Sequence, residues 1–278
     1  MQEISQREYW SGKVGDTWAI EAARVDAMFA PLMDALFAFA AFRPGERVLD
    51  IGCGSGETSI EIARRVGSLG SVVGVDLSPQ MLDVARGRAR EAELAVDFIE
   101  TDVTSAQMAP HFDAAFSRFG VMFFDAPVVA FSHIRTLVRE NGRMVFVCWR
   151  PMAENIFATL PLEAIQSMLQ TPLVPPNPNA PGPYALSDEG RVRSILRDAG
   201  WRGVALARWD GALSVGDART PSDAADFLLK IGPCSRTVAD QQLEVAEAKA
   251  LLMNKLAPHA GELGIALPAA CWLVSATA

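Results

Sequence analysis

The sequence predicts a doubly wound α/β fold, a mostly parallel sheet with helices on both faces. Between residues 47 and 149, short β-branched apolar runs alternate with segments of helical periodicity. Several runs are continuously apolar, which is typical of strands buried on both faces of a parallel sheet. Repeated strand–helix units of this kind imply right-handed crossovers. With 278 residues, of which 50% are hydrophobic, the chain can bury a large core.

The elements of this region follow one another in the order that such a sheet requires. Ser78 and Pro79 indicate a helix start, since a hydroxyl cap precedes a proline suited to the first helical position. Glu140, Asn141 and Gly142 indicate the end of a later helix. The predicted strands are 47–52, 71–77, 95–101, 112–117 and 143–149, and the predicted helices between them are 57–66, 79–92 and 126–139.

The chain on either side of this region has a different pattern. A predicted helix ends near Phe42, before the first strand, and another covers 152–170. Six prolines between Pro172 and Pro183 then indicate a stiff, irregular loop. We predict one domain in four parts: an N-terminal helical lid segment at 1–42, an α/β core at 43–150, an inserted cap at 151–183, and the rest of the core at 184–278, with helices at 188–199, 222–231 and 238–257 and strands at 204–215 and 269–276.

Composition excludes several classes of protein. A net charge of -8 disfavours a general nucleic-acid binder, which needs clustered basic residues. The four cysteines, at 53, 148, 234 and 271, have no CxxC spacing, and the three histidines have no metal-ligand spacing. No signal peptide is expected at the charged N-terminus, and the apolar stretch 27–42 is shorter than the roughly 20 residues of a membrane span. We therefore expect a cytoplasmic protein with free thiols, no bound metal and no membrane span.

The turn VLDIGCGSGETS joins the first strand to the next helix. Gly52, Gly54 and Gly56 allow a tight turn and close approach of a ligand to the backbone, beside a helix N-terminus with free N–H groups. The spacing is GxGxG rather than the GxGxxG of dinucleotide sites, and Glu57 opposes a pyrophosphate. Asp50, inside the strand, suits a ligand with an ammonium group, reached directly or through water.

Two further acids follow the next strands. Asp76 ends the second strand, where an acid can accept hydrogen bonds from two ribose hydroxyls. Asp102 follows the third strand and can accept from an adenine amino group, while Val103 can donate its backbone N–H to the ring. The ligand would carry adenine, free ribose hydroxyls and an amino-acid cation, without phosphate. S-adenosylmethionine fits this description.

The segments VLDIGCGSG (48–56) and GVDLSPQML (74–82), with the acid after the third strand, resemble the class I S-adenosylmethionine-dependent methyltransferases. The run SRFGVMFF (117–124) resembles the small-molecule branch that includes ubiquinone- and menaquinone-type enzymes. The resemblance covers 43–150 and implies a Rossmann-like methyltransferase fold of seven strands with an antiparallel last strand. It implies that the first-strand acid and glycines hold the methionine end, Asp76 the ribose, and Met81 or its neighbours the adenine. The expected cofactor-binding residues are Asp50, Gly52, Cys53, Gly54, Gly56, Asp76, Leu77, Met81, Asp102, Val103 and Ser117.

The sequence defines the residues around the methyl acceptor less well than those around the cofactor. Tyr9, Trp10 and Trp18 either cover the sulfonium, where ring faces attract a cation, or anchor the N-terminal segment to the core. Phe119 is placed to line the transfer site, whereas Phe123 and Phe124 are expected in the core. The predicted acceptor pocket holds Trp18, Arg118, Phe119 and Tyr184.

The predicted function is in-line methyl transfer from S-adenosylmethionine to a small, partly hydrophobic acceptor. No catalytic residue is assigned, because a base is needed only where the acceptor must lose a proton. The apolar cap favours such an acceptor and would exclude water from it. Two alternatives stay open: a nicotinamide-dependent oxidoreductase, which the missing GxGxxG and Asp50 disfavour, and a non-catalytic S-adenosylmethionine-binding protein. The acceptor atom and the oligomeric state are left open.

Overall fold

A central sheet organises the chain, and the predicted fold class is confirmed. The computed structural model describes residues 5–108, 111–174, 177, 179–262 and 264–278. The strands of the sheet run in the order β3-β2-β1-β4-β5-β8-β6, parallel except for β8, and β7 pairs with β8 as a short hairpin. They are β1 (Arg47–Ile51), β2 (Ser71–Asp76), β3 (Asp97–Glu100), β4 (Phe112–Arg118), β5 (Val138–Trp149), β6 (Arg202–Ser214), β7 (Ala260–Gly261) and β8 (Gly264–Thr277).

The helices cover the faces of this sheet and one end of it. Phe37 stacks on Phe116 of β4 with ring centroids 5.7 Å apart, so the long N-terminal helix packs on the core. The predicted cap at Ser78 is confirmed, since its hydroxyl accepts from the Met81 N–H at 3.3 Å. The helices are α1 (Gln6–Ser11), α2 (Lys13–Ile20), α3 (Ala22–Ala40), α4 (Glu57–Val66), α5 (Pro79–Glu91), α6 (Pro127–Leu137), α7 (Ile156–Ala164), α8 (Glu189–Asp198), α9 (Pro221–Leu228), α10 (Pro233–Asp240) and α11 (Val245–Leu256).

Two predicted long helices are interrupted in the structure, whereas the helix predicted to end near Phe42 is the continuous α3, preceded by α1 and α2. The helix predicted at 238–257 is divided between α10 and α11, with Gln242 between them at φ 52°. The helix predicted at 152–170 is α7 between two short 3-10 turns. The Asn155 side chain donates to the carbonyls of Arg150 and Pro151, each at 3.1 Å, and stabilises a turn just before α7.

The stop signal at residues 140–142 has a different role from the predicted one. Helix α6 already ends at Leu137, and these residues belong to β5. Asn141 has φ 60°, and the pairing of β4 with β5 shifts register here. Asparagine tolerates this conformation better than most residues, so the segment forms an irregularity within the strand. In the part of the chain that the structure describes, no helix has the length and apolar character to cross a membrane.

Candidate functional site

A cavity of about 410 Å³ lies at the carboxyl ends of the five neighbouring parallel strands. Ile51, Asp76, Thr101, Arg118 and Trp149 line it, one at the end of each strand or directly after it. The N-terminal helices, α7 and the segment 231–233 close the remaining sides. Ligands of open α/β sheets bind at this edge, so the cavity is the candidate site.

The glycine turn forms the floor of the cavity. Gly52 has φ 66°, and a Cβ on it would lie 2.9 Å from the Cα of Gly120, so two backbones meet here. Gly54 has φ 53° and donates its N–H to Asp76 at 2.8 Å. Gly52, Cys53 and Gly54 all line the cavity, as expected. Burial raises the pKa of the Cys53 thiol well above its ordinary value, which agrees with a packing role.

Gly56 lies outside the cavity wall and serves helix packing. A Cβ on it would stand 2.7 Å from the Cβ of Ala85 and 3.1 Å from the ring of Phe98. Gly56 therefore allows the start of α4 to pack closely against α5 and β3.

Ser117 also lies below the cavity wall rather than in it. Its hydroxyl donates to the carbonyl of Ile51 at 2.8 Å and accepts from the Gly120 N–H at 3.1 Å. These bonds tie the end of β4 to the end of β1. Ser117 thus shapes the turn from below the cavity wall.

Asp50 is fully buried behind the glycine turn and is not among the residues that line the cavity. Its Oδ2 accepts hydrogen bonds from the hydroxyls of Thr58 and Ser59, each at 2.6 Å, while Oδ1 has no partner among the described residues. Burial raises the pKa of Asp50 to about 6, against the lowering effect of the two hydroxyls. Asp50 therefore supports the turn from behind and does not border the cavity itself.

The raised pKa of Asp50 has a consequence for stability. The ionised carboxylate is penalised in the folded state, so Asp50 makes no unfavourable contribution below its ordinary pKa of 3.8, and the penalty grows as pH rises to about 6. We expect wild type to lose on the order of 3 kcal/mol relative to Asp50→Asn between pH 4 and pH 6.5, and no more above it. Urea unfolding across this range measures the difference, and parallel pH profiles of the two proteins would contradict it.

Asp76 faces the cavity with both carboxylate oxygens already placed by the backbone. Oδ2 accepts from the Gly54 N–H at 2.8 Å and Oδ1 from the Ser78 N–H at 2.9 Å. Burial raises the pKa of Asp76, and these backbone bonds oppose the rise. Each oxygen can still accept another hydrogen bond. Leu77 and Met81 line the cavity beside it, as expected.

Asp102 and Val103 line the cavity one strand further along. The Asp102 Oδ1 accepts from the N–H of Thr104 at 2.9 Å and from its hydroxyl at 2.7 Å. Val103 is buried, and its side chain packs into the core. The local turn therefore holds Asp102 in place while leaving its other oxygen available to a ligand.

Arg118 enters the cavity wall beside the glycine turn and belongs to a charged cluster. Its Nη2 lies 3.3 Å from Asp26, and its Nη1 pairs with Glu57. Arg88 binds the other oxygen of Asp26 at 2.7 Å. Burial raises the pKa of Glu57 to about 7, although Arg118 lowers it. Arg118 is thus held from two sides by acids.

Aromatic rings form much of the rest of the cavity wall. Phe119, at φ 63°, stacks on Trp149 with centroids 4.6 Å apart, and Trp149 stacks on Phe157 at 6.2 Å. Phe29 lies 4.9 Å from Phe119. Tyr184 completes this side, and burial raises the pKa of its hydroxyl above the ordinary value.

Two of the three N-terminal aromatic residues reach the cavity. Trp10 and Trp18 line the cavity, 5.7 Å apart in an edge-to-face pair. Tyr9 lies outside the wall and packs edge-on against Trp10 at 5.4 Å. Phe123 and Phe124, expected in the core, also line the cavity because the 3-10 turn after β4 carries them to its mouth.

Several residues that line the cavity were not predicted from the sequence. Trp149 carried a usable signal, since it ends the fifth parallel strand just as Asp76 ends the second. Val25, Met28 and Phe29 show the spacing of an apolar helix face, which does not reveal that this face borders a cavity. The segment 231–233 has no local signal at all.

Comparison with known proteins places this geometry in a family. A model described as a methyltransferase domain matches residues 48–142. A demethylmenaquinone methyltransferase of Beutenbergia cavernae is 32% identical over 180 residues, 62% of this chain and 72% of that protein. A ubiquinone/menaquinone biosynthesis C-methyltransferase of Bdellovibrio bacteriovorus is 31% identical over 126 residues, 45% of this chain and 53% of that protein.

The fold has a solved counterpart in phosphoethanolamine N-methyltransferase 2 of Haemonchus contortus, whose structure holds S-adenosyl-L-methionine. The TM-score is 0.60 at 16% identity, over 99% of this chain and 60% of that one. The chain spans little more than half the length of the first curated relatives it matches, 53% to 59% of each. This chain and the solved methyltransferase therefore share the fold of the sheet. A sequence identity of 16% says nothing about whether they share a substrate.

Proposed function

The chain belongs to the class I S-adenosylmethionine-dependent methyltransferases, in the quinone-type branch, and we propose that it transfers a methyl group from S-adenosylmethionine to a small, partly hydrophobic acceptor. The observation that supports this most is the meeting of Asp76, Asp102 and the glycine turn around one cavity. Acids at the ends of adjacent strands suit a nucleoside with free hydroxyls and an amino group.

The residues of the wall fit S-adenosylmethionine better than a dinucleotide. Among the described residues that line the cavity, Arg118 alone is an arginine or lysine, and it is already paired with two acids. This one cation, with Glu57 beside it at the first position of α4, does not balance the two negative charges of a nicotinamide cofactor's pyrophosphate. In the proposed arrangement Asp76 binds the ribose hydroxyls, Asp102 and the Val103 N–H bind adenine, and Leu77 and Met81 pack against the base.

The aromatic wall supports an apolar acceptor. When bound, S-adenosylmethionine supplies an electrophilic methyl group, which the acceptor takes by in-line displacement. Ring faces of Phe119, Trp149 and Trp18 stabilise positive charge in a site from which water is excluded. Holding the acceptor in line can lower the barrier by about 7–11 kcal/mol.

Tyr184 is proposed as a hydrogen-bond donor rather than a base. Burial raises the pKa of its hydroxyl, so the proton stays on the oxygen at neutral pH. Phe157 and Pro183 come from the proposed cap at 151–183 and line the same cavity. The cap therefore contributes to acceptor binding in this proposal. All four cysteines are free and buried, which agrees with the proposed cytoplasmic location.

Calorimetry with S-adenosylmethionine, S-adenosylhomocysteine and NADH tests the proposal. We expect the first two to bind and NADH not to bind. A screen of quinols, phenols and amines with methyl-labelled S-adenosylmethionine then measures transfer. Binding of NADH alone would overturn the proposal in favour of an oxidoreductase, and binding without any transfer would favour the non-catalytic alternative.

A substitution in the aromatic wall of the cavity is expected to change the Michaelis constant of the methyl acceptor. We expect Trp149→Ala to raise the acceptor KM about tenfold and to leave S-adenosylhomocysteine affinity unchanged, because stacking on Phe119 and Phe157 is lost. Trp209→Ala is the matched control: both tryptophans pair with Cys271, from opposite sides of β8, but Trp209 lies outside the cavity wall. Equal effects of the two substitutions would contradict the assignment.

A further inference from the structure

We propose that Arg118 binds the carboxylate of the amino-acid end of S-adenosylmethionine, and is not part of the acceptor pocket. This inference rests on the proposed function, because it needs that cofactor in the cavity. It replaces the sequence-based expectation, which placed Arg118 with Phe119 and Tyr184.

The position follows from strand register. Asp50 of β1 pairs with Phe116 of β4, and the Ser117 hydroxyl donates to the Ile51 carbonyl at 2.8 Å, so the end of β4 lies beside the start of the glycine turn. Gly52 and Arg118 both line the cavity. The guanidinium reaches the start of α4 through its ion pair with Glu57. Arg118 thus borders the glycine turn, at which the methionine end is proposed to lie, while the aromatic acceptor wall begins at Phe119.

A carboxylate that leaves water for an apolar cavity needs a charged or hydrogen-bonding partner. Among the described wall residues, Arg118 is the one arginine or lysine, and its side chain is 12% exposed. Glu57, at the first position of α4, opposes an anion at the helix N-terminus itself. Arg118 is therefore the remaining cationic partner for the carboxylate.

The guanidinium keeps donors for this ligand. Arginine has five N–H groups. In the described contacts Nη1 donates to Glu57 and to the Met33 sulfur, and Nη2 donates to Asp26. The Nε–H and one Nη2–H remain for a carboxylate, which arginine binds with two parallel hydrogen bonds. Asp26 and Glu57 hold the plane of the guanidinium before the ligand arrives.

The test compares two ligands that differ in one group. Decarboxylated S-adenosylmethionine keeps the nucleoside, the sulfonium and the amine but lacks the carboxylate. We expect wild type to bind S-adenosylmethionine about 10- to 100-fold more tightly than this analogue, as for a hydrogen-bonded charge pair. In Arg118→Gln the two affinities become equal, and the affinity for the analogue stays at its wild-type value.

Arg88→Gln is the matched control. Arg88 binds Asp26 in the same cluster and the Ser55 carbonyl at 3.2 Å, but it does not line the cavity, so its loss leaves the affinity ratio unchanged. If Arg118→Gln alone does not fold, Arg118→Gln with Glu57→Gln removes the acid left unpaired, and the ratio disappears in that protein.

The outcomes separate the two proposals. A ratio retained in the Arg118 variants overturns the inference, as does an effect confined to the acceptor KM, which would return Arg118 to the acceptor pocket. Failure of wild type to bind either ligand would instead overturn the proposed function.

Discussion

Gly52→Ala is expected to lower the affinity for S-adenosylhomocysteine at least tenfold and to destabilise the fold by about 2–5 kcal/mol. Two effects add. An alanine at φ 66° is strained by about 1–2 kcal/mol, and its Cβ would stand 2.9 Å from the Cα of Gly120. Since backbone meets backbone, neither side can move without displacing the turn that forms the cavity floor.

Gly67 offers a control with nearly the same positive φ and no close neighbour. It has φ 67°, at the end of α4, and a Cβ on it would meet nothing within 4 Å. Gly67→Ala should therefore show backbone strain alone, about 1–3 kcal/mol, with unchanged ligand affinity. Calorimetry and urea unfolding of both variants give the comparison. Equal losses of affinity would show that the contact between Gly52 and Gly120 does not shape the site.

Asp76→Ala is expected to weaken S-adenosylhomocysteine binding about 100-fold. Two hydrogen bonds from ribose hydroxyls to a charged acceptor are lost, together about 3 kcal/mol. Asp83→Ala removes the same charge from an exposed position on α5, where the side chain is 77% exposed, and should leave the affinity unchanged. Unchanged affinity in Asp76→Ala would show that the ribose assignment is wrong.

A second measurement separates the ribose contact from the support of the turn. Asp76 also accepts from the Gly54 N–H, so its loss can loosen the glycine turn. Deoxyribose analogues of S-adenosylhomocysteine decide between these causes. Wild type should bind them more weakly than the parent compound, whereas Asp76→Ala should bind both equally. Discrimination retained in the variant would place the ribose on another residue.

Local sequence signals were sufficient to predict the first five strands and the acids that line the cavity. The first four predicted strands match within two residues, and the fifth, predicted at 143–149, begins earlier at Val138. Strands buried on both faces carry continuous apolar runs, which makes them visible in the sequence. Asp76 and Asp102 could be predicted because carboxyl ends of parallel strands meet at one edge. The interruptions at 152–170 and 238–257 could not, because they depend on non-local burial and on side-chain hydrogen bonds such as those of Asn155.

The motif also left side-chain direction undetermined. Asp50, Gly56 and Ser117 stand in the expected order along the chain, yet the structure uses them for packing and hydrogen bonding behind the cavity. Spacing along a strand and turn specifies where a residue is in the chain. Which way its side chain points depends on the neighbours that pack against it, and these come from other elements.

The sequence by itself determined the doubly wound class, the methyltransferase family and two acids that line the cavity, Asp76 and Asp102. Each of these depends on residues close together in the chain, where spacing carries the information. Only the tertiary structure decided which aromatic residues line the cavity and where Arg118 lies. The wall joins α2, α3, the end of β5, α7 and the segment 231–233, which are far apart in sequence and have no fixed spacing. Arg118 is oriented by Asp26 and Glu57, 92 and 61 positions away, so its role emerges only when the sheet brings them together.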